Sequence, residues 1–423
     1  MHTTPADPSL IDSRTAAWRL LTTLGLVVLG NSSMYVVSVV LPAVQAEFGI
    51  GRADASLPYT LMMICLGLGG LWTGRMADRH GLTPVLLGGA AAVCAGFIGA
   101  GMAGSIWMFG LAHGLMGLIG SAATFAPLMA DTALWWNRRR GIAVAICASG
   151  NYVAGSFWPP LVQHGIDTIG WRQTYTLMGL VCGLGMALLA LRMRQRPPMV
   201  QTAATTTPAS SASSSTASPA ASALAASDKS LPFGLAPGRA QLLLFVAGVA
   251  CCVAMSMPQV HIVAYCTDLG FGAARGAEML SLMLASGIVS RLVSGLICDR
   301  IGGIRTLLLG SALQGVALLM FLPFDGLVPL YLVSALFGLF QGGIVPSYAI
   351  IIREHFDPHE AGARVGSVIM ATLLGMALGG WLSGLVFDLT GSYKAAFING
   401  IGWNLLNLSI AGWLYLRLRR RGL

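Results

Sequence analysis

The sequence predicts an all-α integral membrane protein whose twelve transmembrane helices form two pseudo-symmetric six-helix bundles. The first indication is composition: of 423 residues, 55% are hydrophobic and only 10% are charged, and mean hydropathy is +0.74. The second is the recurrence of apolar runs of about 20 residues, the length that a helix needs to cross a bilayer. The third is a weak internal repeat that divides the chain in two.

The apolar runs define the predicted spans and domains. The spans lie at roughly 17–43, 57–76, 83–103, 106–132, 141–163, 170–192, 240–267, 275–298, 304–323, 328–352, 363–387 and 393–417. Residues between the two halves are rich in Ala, Ser and Thr, a composition that cannot bury a core and predicts a disordered linker. The predicted domains are therefore a tail (1–16), a first bundle (17–192), the linker (193–239), a second bundle (240–417) and a basic tail (418–423).

The basic residues predict the orientation. With both termini in the cytoplasm, twenty of the 25 lysines and arginines fall in cytoplasmic segments, as the positive-inside rule requires. Four fall outside (Arg52, Arg172, Arg275 and Lys394). The net charge of +9 then reflects loops that face an anionic membrane surface, and no nucleic-acid partner is predicted. Short loops without a glycosylation sequon fit a bacterial inner membrane.

Motifs for other classes of protein are absent from the sequence. It contains no H-E-x-x-H, no G-x-S-x-G and no G-x-x-x-x-G-K-[ST] motif, so neither an intramembrane enzyme nor an ATP-driven pump is predicted. The eight cysteines lie almost entirely in the apolar spans and form no C-x-x-C pair. We predict that they are packing residues, and that the protein has no cofactor and no metal site.

The two halves repeat at a distance of 221 residues. The segment from Gly74 to Gly81 is matched by the segment from Gly295 to Gly302, and each follows the second span of its half. Gly170 and Gly391 correspond at the same offset. Such a repeat indicates two bundles related by an axis along the membrane normal, with a substrate path between them.

Arg291 is the only formally charged residue that we place inside any of the spans. A charge at bilayer depth costs roughly 2.5–3.5 kcal/mol on insertion scales, so an intramembrane arginine indicates a functional site. The alternative is that its long side chain snorkels to the cytoplasmic interface, about two turns away.

The loop G-x-x-x-D-R-x-G between the second and third spans resembles the signature loop of the major facilitator superfamily. The resemblance covers the chain outside the linker and implies a major facilitator fold that works by alternating access. It also implies that this loop latches the two halves in the outward-open state; the alternative is a generic charged loop. A departure is Thr83-Pro84, where the family often has a basic residue. The implied latch residues are Gly74, Asp78, Arg79 and Gly81, with Asp299 and Arg300 in the second copy.

Three stretches resemble the monocarboxylate transporters more narrowly. These are the aromatic and basic segment at 135–141 with the small-residue run that follows it, the span around Arg291, and residues 346–356. In that family an arginine of the eighth span binds the substrate carboxylate, which implies this role for Arg291. A guanidinium is a planar, permanent cation that suits a carboxylate. The predicted substrate is a small organic anion, foremost a monocarboxylate; an organic anion exchanger and a transporter-like sensor remain alternatives.

Two departures from that family concern coupling. Mammalian carriers have an aspartate four residues before the arginine, where this chain has Gly287, and a lysine in the first span, where it has only neutral polar groups. The usual proton-coupling carboxylate is therefore missing. His261 and His113 are the candidates to carry a proton instead, because imidazole titrates in the useful range. For both, the alternative is a hydrogen-bonded packing role.

The remaining candidates are weaker. Tyr348 and Asn151 are candidate hydrogen-bonding partners of the substrate, against simple helix packing. Phe125 and Tyr152 are candidate substrate contacts, again against packing. Asp131 is expected to pair with the basic cluster at 138–140. The predicted partners are thus a small organic anion, protons and the lipid bilayer, and the protein is expected to be a monomer.

Overall fold

The computed structural model describes residues 10–195 and 232–420, and these form twelve long helical units. The all-helical prediction is confirmed. The first six are α1 (Arg14–Phe48), α2 (Arg52–His80), α3 (Leu82–Gly101), α4 (Ile106–Trp135), α5 (Arg140–Ile169) and α6 (Trp171–Arg192). The second six are α7 (Pro237–Asp268), α8 (Ala273–Ile301), α9 (Gly303–Met320), α10 (Leu327–His355), α11 (Pro358–Thr390) and α12 (Tyr393–Arg420).

Ten of these helices are long and apolar enough to cross a membrane by length and composition. The two that fall outside this group, α5 and α12, are as long as the others but carry more polar side chains. In α5 these include Gln163 and Asp167, and in α12 they include Asn404 and Asn407. Of these, Gln163, Asn404 and Asn407 are buried and therefore face other helices rather than lipid, whereas Asp167 is exposed.

The first and fourth helices of each bundle contain a break or an internal proline. In α1 the helix breaks at Asn31, and in α4 a π-helical segment, Met116–Ser121, is followed by a break at Phe125. In the second bundle, α7 contains Pro258 and α10 breaks at Gly342. In the fourth helices Gly342 is equivalent to Ser121, the last residue of the π-helical segment, whereas in the first helices Pro258 lies six residues beyond the equivalent of Asn31. A proline inside a helix removes one backbone hydrogen bond and favours a kink.

The glycines of the repeat make matching turns. Gly81 joins α2 to α3 with φ 87°, and Gly302 joins α8 to α9 with φ 81°. At the other end of the bundles, Gly170 and Gly391 have φ values of 82° and 66°. Only glycine adopts positive φ without a steric penalty, which explains why glycine stands at each of these connections.

The domain boundaries differ slightly from those predicted. Helix α1 begins at Arg14, and a short turn, Pro232–Gly234, precedes α7. In this turn Phe233 is buried, and its ring stacks on His355 at 4.6 Å between centroids. An aromatic residue in the C-terminal part of the predicted linker, 193–239, thus packs against the second bundle, and the division into domains stays a prediction. Residues 196–231, and the tail residues 1–9 and 421–423, lie outside the described part of the chain.

A buried ion pair in the first bundle corrects two predictions. Arg19 of α1 donates from Nε and Nη2 to the two carboxylate oxygens of Asp131 of α4, each at 2.9 Å, and both side chains are 7% exposed. Arg291 is therefore not the only charge within the spans. Asp131 pairs with Arg19 rather than with residues 138–140, which are exposed. A buried carboxylate needs a partner that is buried beside it, since an exposed arginine would have to give up its own hydration.

The two bundles meet through α2 with α11 and through α5 with α8. We call the end that carries Arg79 and Arg300 the basic end, and the other the distal end. Near the distal end, Thr60 donates to the carbonyl of Ala377 across the interface at 2.9 Å. Toward the basic end, a Cβ built on Gly74 or Gly366 would meet no described atom within 4 Å. The bundles are therefore closed at the distal end and apart at the basic end.

Candidate functional site

Arg291 lies on α8, ten residues before the helix ends at Ile301, or roughly 15 Å from that end. Its Nη1 donates to the carbonyl of Ala148 in α5, at 2.8 Å. The guanidinium carbon is 4.7 Å from the centroid of the Tyr152 ring, a cation–π distance. The side chain thus crosses from one bundle to the other and does not extend toward the basic end as the snorkelling alternative requires. Its Nε is buried without a hydrogen-bond partner among the described residues.

Gly287 makes room for the ring of Tyr152. A Cβ built on Gly287 would lie 2.6 Å from Cε1 of Tyr152, closer than real Cβ atoms come to other heavy atoms. Tyr152 therefore fills the space next to Arg291 that any side chain at 287 would enter. Gly287 is also the position at which mammalian carriers have an aspartate. Here the absence of a side chain leaves room for the tyrosine of the facing helix.

Tyr35 of α1 also belongs to this site, and sequence reasoning missed it. Its hydroxyl donates to Oδ1 of Asn151 at 3.2 Å, and the residue is only 3% exposed. A Cβ built on Gly155 would lie 2.8 Å from Cζ of Tyr35, so the ring packs directly on α5. The sequence does contain one indication of this role. Tyr35 lies in an apolar span close to three other polar residues, Asn31, Ser32 and Ser33. The structure thus brings together the predicted Arg291, Asn151 and Tyr152, and adds Tyr35.

The break in α10 supports Arg291 from behind. A Cβ built on Gly342 would lie 2.6 Å from the carbonyl oxygen of Gly287 and 2.9 Å from the amide nitrogen of Arg291. The Gly342 amide donates to Oγ of Ser290 at 3.0 Å. Backbone therefore packs on backbone here, which fixes the position of the helical turn that carries the arginine.

Next to that break, Gln341 provides a second polar group that the sequence did not single out. Its Oε1 accepts from Nε2 of Gln259 in α7 at 2.9 Å. Its own Nε2 is buried and has no partner in the described ranges. A buried amide with a free donor costs roughly 1–3 kcal/mol, so a ligand or a water that satisfied it would be favoured.

Tyr348 is not brought to Arg291. Its hydroxyl donates to Oδ1 of Asn407 at 2.8 Å, and Nδ2 of Asn407 donates to Ser311 at 2.7 Å. These residues connect α9, α10 and α12 within the second bundle, so the geometry favours the packing alternative for Tyr348. Phe125 lies half-buried at the break in α4, and its role as a substrate contact stays a prediction.

The two histidines lie in different bundles but have similar surroundings. His113 is fully buried in the first bundle, where Nδ1 donates to the carbonyl of Phe109 at 2.9 Å and Nε2 accepts from Tyr175 at 3.3 Å. A role in proton transfer stays a prediction for both. In the second bundle, Nε2 of His261 donates to the carbonyl of Gly380 at 2.8 Å, and Nδ1 accepts from the hydroxyl of Tyr393 at 3.2 Å. The carbonyl partner assigns the proton to Nε2 of His261.

The latch residues are separated in this conformation. Asp78, Arg79, Asp299 and Arg300 are exposed, and none of them makes a hydrogen bond or ion pair within the described part of the chain. This agrees with the separation of the bundles at the basic end. A latching role stays a prediction for the closed form of that end. No group of three or more His, Cys, Asp or Glu residues suited to a metal ion occurs among the residues described.

Comparison with known proteins identifies the class to which this fold and interface belong. The family model for the Major Facilitator Superfamily matches residues 22–333 and 279–422. The chain belongs to this superfamily and is a multi-pass membrane transporter protein. Among its members, it is monocarboxylate-transporter-like.

The sequence relatives include Monocarboxylate transporter 13 of Rattus norvegicus, which is 27% identical over 76% of this chain and 71% of the relative. Monocarboxylate transporter 11 of Mus musculus is also 27% identical, over 76% of this chain and 70% of its own. The MFS-type transporter pynF of Aspergillus niger is 23% identical over 81% and 74%. These relatives are animal and fungal proteins, so a bacterial origin stays a prediction.

Solved structures agree on the fold. The nucleoside transporter NupG superposes with a TM-score of 0.72 at 12% identity, over 94% of this chain and 98% of that one. A bacterial homolog of the human lysosomal transporter Spinster superposes with a TM-score of 0.70 at 13% identity, over 96% and 97%. The predicted major facilitator fold is confirmed.

Proposed function

We propose that this protein carries a small monocarboxylate across the membrane by alternating access, and that Arg291 binds the carboxylate. The observation that carries the proposal is the guanidinium that bridges the two bundles at Ala148 and Tyr152 and keeps a buried Nε without a partner. The names of the animal relatives support the choice of substrate class.

The chemistry of the site favours one carboxylate. A carboxylate that enters replaces the carbonyl of Ala148 as an acceptor for Arg291 and forms charge-assisted hydrogen bonds, each worth about 1.5–3 kcal/mol. The hydroxyl of Tyr35 and the amide of Asn151 are neutral groups suited to the remainder of a small substrate. Because Arg291 is the single cation of this site among the residues that the structure describes, a second carboxylate would be left without a partner.

Proton coupling is the second part of the proposal, with His261 as the proton carrier. It is buried, and the helices that hold it, α7, α11 and α12, belong to the bundle that carries Arg291. Organic anion exchange is the alternative, and one observation favours it. Tyr152 fills the space beside Gly287, so the described residues place no carboxylate next to Arg291 to bind the proton that usually accompanies substrate.

Uptake of labelled mono- and dicarboxylates into proteoliposomes tests the substrate. For Arg291→Ala we expect uptake at low substrate concentration to fall about 100-fold, equivalent to about 2.7 kcal/mol. The matched control is Arg275→Ala on the same helix, an exposed arginine that pairs with Glu278 at 3.0 Å, and its uptake should be unchanged. Normal uptake by Arg291→Ala, or no carboxylate uptake by the native protein, would refute the proposal.

The same assay with and without a pH gradient tests the coupling. A proton symporter concentrates substrate when the gradient is imposed, and His261→Gln should then lose accumulation but keep counterflow. An exchanger shows no accumulation with the gradient and requires substrate on the other side of the membrane. Accumulation that persists in His261→Gln would rule out this histidine as the proton carrier.

A further inference from the structure

The N-terminus of α2 is capped by the opposite bundle. Asp388, near the distal end of α11, accepts from the backbone amide of Arg52 at 2.8 Å and from that of Ala53 at 2.9 Å. The first amides of a helix have no partner within the helix and are usually capped by a neighbouring Ser, Thr, Asp or Asn. Here the N-cap residue is Gly51, which has no side chain to offer. The cap comes instead from 336 residues further along the chain.

The side chain of Arg52 makes a second set of contacts with the same bundle. Its Nη2 donates to Oδ1 of Asp268, at the end of α7, at 2.6 Å. Its guanidinium carbon lies 5.1 Å from the ring centroid of Phe387 and 5.7 Å from that of Tyr393. Arg52 is only 7% exposed, so these attractions act where water screens them little. Every one of these partners belongs to the second bundle.

Two glycines allow this approach. A Cβ built on Gly51 would lie 2.6 Å from Oδ2 of Asp388. On the facing helix, a Cβ built on Gly384 would lie 2.7 Å from the carbonyl carbon of Arg52. The ends of α2 and α11 are thus in backbone contact, and a side chain at either glycine would push them apart.

The contact is strong but incompletely satisfied. Nε and Nη1 of Arg52 are buried and have no hydrogen-bond partner among the described residues. Each buried donor left unpaired costs roughly 1–3 kcal/mol, which offsets part of what the ion pair and the cap contribute. A contact that is favourable overall, yet not fully paired, suits a closure that must open in every cycle.

We infer that Arg52, Asp268 and Asp388, with Gly51 and Gly384, form the distal gate of the transport path. The gate is closed here, while the basic end is apart. When the bundles rock to expose Arg291 to the distal side, α2 leaves α11, the helix cap is lost and Arg52 separates from Asp268. These are positioning residues that set which side is open, and the inference needs only the transporter fold, not the identity of the substrate.

A cysteine reporter behind the gate tests the inference. Ser56 is fully buried on the α2 face that contacts α11, one turn beyond Arg52. In a variant with the native cysteines replaced, Ser56→Cys is reacted with a polar maleimide in lipid nanodiscs, where both membrane faces are accessible. We expect Asp388→Asn, Asp268→Asn and Gly51→Ala each to speed the reaction at least threefold. Glu47→Gln is the matched control, because it breaks an exposed ion pair with Arg172 at the same end but within one bundle.

The outcomes separate the possibilities. A reaction rate that stays the same in all three variants, or one that rises equally in Glu47→Gln, would overturn the inference. If loss of the helix cap prevents Asp388→Asn from folding, Asp268→Asn still decides, because its side chain is 32% exposed and caps no helix. The exchanged pair Arg52→Asp with Asp268→Arg should restore slow labelling, which a general loss of stability would not do. No substrate is needed, so this result does not depend on the carboxylate assay.

Discussion

The two interfaces between the bundles are related by the internal repeat but carry different chemistry at the distal end. Asp388 of α11 and Asp167 of α5 occupy equivalent positions, 221 residues apart. Asp388 caps α2 across the interface, whereas Asp167 accepts from Gln163 of its own helix at 2.8 Å. Gln163 itself stands where α11 has Gly384. Both interfaces have a side chain-to-backbone hydrogen bond near this end, from Thr60 to Ala377 and from Ser281 to Ser156, which are equivalent positions of the repeat. Only the α2–α11 interface adds a carboxylate that caps the facing helix and a glycine that lets the backbones meet.

In the middle of the membrane the two interfaces also differ, but there the α5–α8 interface is the one with the charged residue. Where α8 has Arg291, α2 has Gly70, whose added Cβ would meet no described atom within 4 Å. Where α5 has Tyr152, α11 has Leu373. In the middle, the charged residue therefore lies at the α5–α8 interface, whereas at the distal end the ion pair and the helix cap lie at the α2–α11 interface. This difference teaches that two interfaces related by one repeat can carry different chemistry, and it is the basis on which we propose binding at one and gating at the other.

After the loss of Arg291 itself, the largest effect that we expect at these interfaces concerns the fit of Gly287 to Tyr152. In Gly287→Ala the new methyl group meets the ring at 2.6 Å, so Tyr152 or α8 must move and the guanidinium loses its support. We expect initial uptake of the transported carboxylate to fall at least tenfold. Gly402→Ala is the control, since a Cβ there meets nothing within 4 Å. Equal uptake by both variants would show that the α5–α8 contact does not shape the site.

An intermediate effect is expected from the ring itself. Tyr152→Phe keeps the aromatic face over Arg291, whereas Tyr152→Leu removes it. A cation–π contact is worth about 0.5–2 kcal/mol, so we expect the KM of Tyr152→Leu to rise about fivefold while that of Tyr152→Phe stays within twofold. Concentration series of uptake measure both values. A Phe variant as weak as the Leu variant would assign the effect to the hydroxyl group instead.

The smallest effect tests the distal difference directly. Gln163→Ala frees Asp167 from its partner on α5. We expect labelling of Ser56→Cys to change less than twofold, because α8 offers Ala273 where α2 offers Arg52 and no ion pair can form. The reciprocal change, Gly384→Gln, forces a side chain against the Arg52 backbone and should speed labelling at least threefold. A strong effect of Gln163→Ala alone would mean that both interfaces gate.

The fold was accessible to sequence reasoning because the bilayer imposes it. Twenty-residue apolar runs and the glycines at 81, 170, 302 and 391 report span length and turn conformation locally, and the repeat fixes the pairing of the halves. The Arg19–Asp131 pair was not accessible, since the two residues are 112 positions apart and each has closer charged neighbours in the sequence. The packing of Phe233 was not predicted either, because the segment that precedes it is rich in Ala, Ser and Thr and was interpreted as a disordered linker.

Site residues could be predicted where the residue type is rare in membrane helices, and could not be predicted where the type is common there. Arg291 stood out by its charge, and Asn151 and Tyr152 by their nearness to a family-like stretch. Tyr35 and Gln341 are of types common in membrane helices, and only tertiary contact shows that Tyr35 bonds Asn151 and that Gln341 bonds Gln259. Tyr348 is a tyrosine like Tyr35, but its hydroxyl donates to Asn407. Which partner a tyrosine contacts depends on the rotation of its helix about the helix axis, and the sequence does not show this rotation.

The cap on α2 also has a consequence for how the protein is made. The first amides of a helix are normally capped by residues that are close in sequence and are therefore synthesised at almost the same time. The amides at the start of α2 are capped by Asp388, which is synthesised much later. At 5–20 residues per second, the ribosome needs roughly 17–67 s to travel from Arg52 to that residue. During this interval the first bundle is inserted with the start of one helix uncapped. Completion of that helix end therefore coincides with the docking of the second bundle, which makes α2 a natural reporter of when the two halves come together.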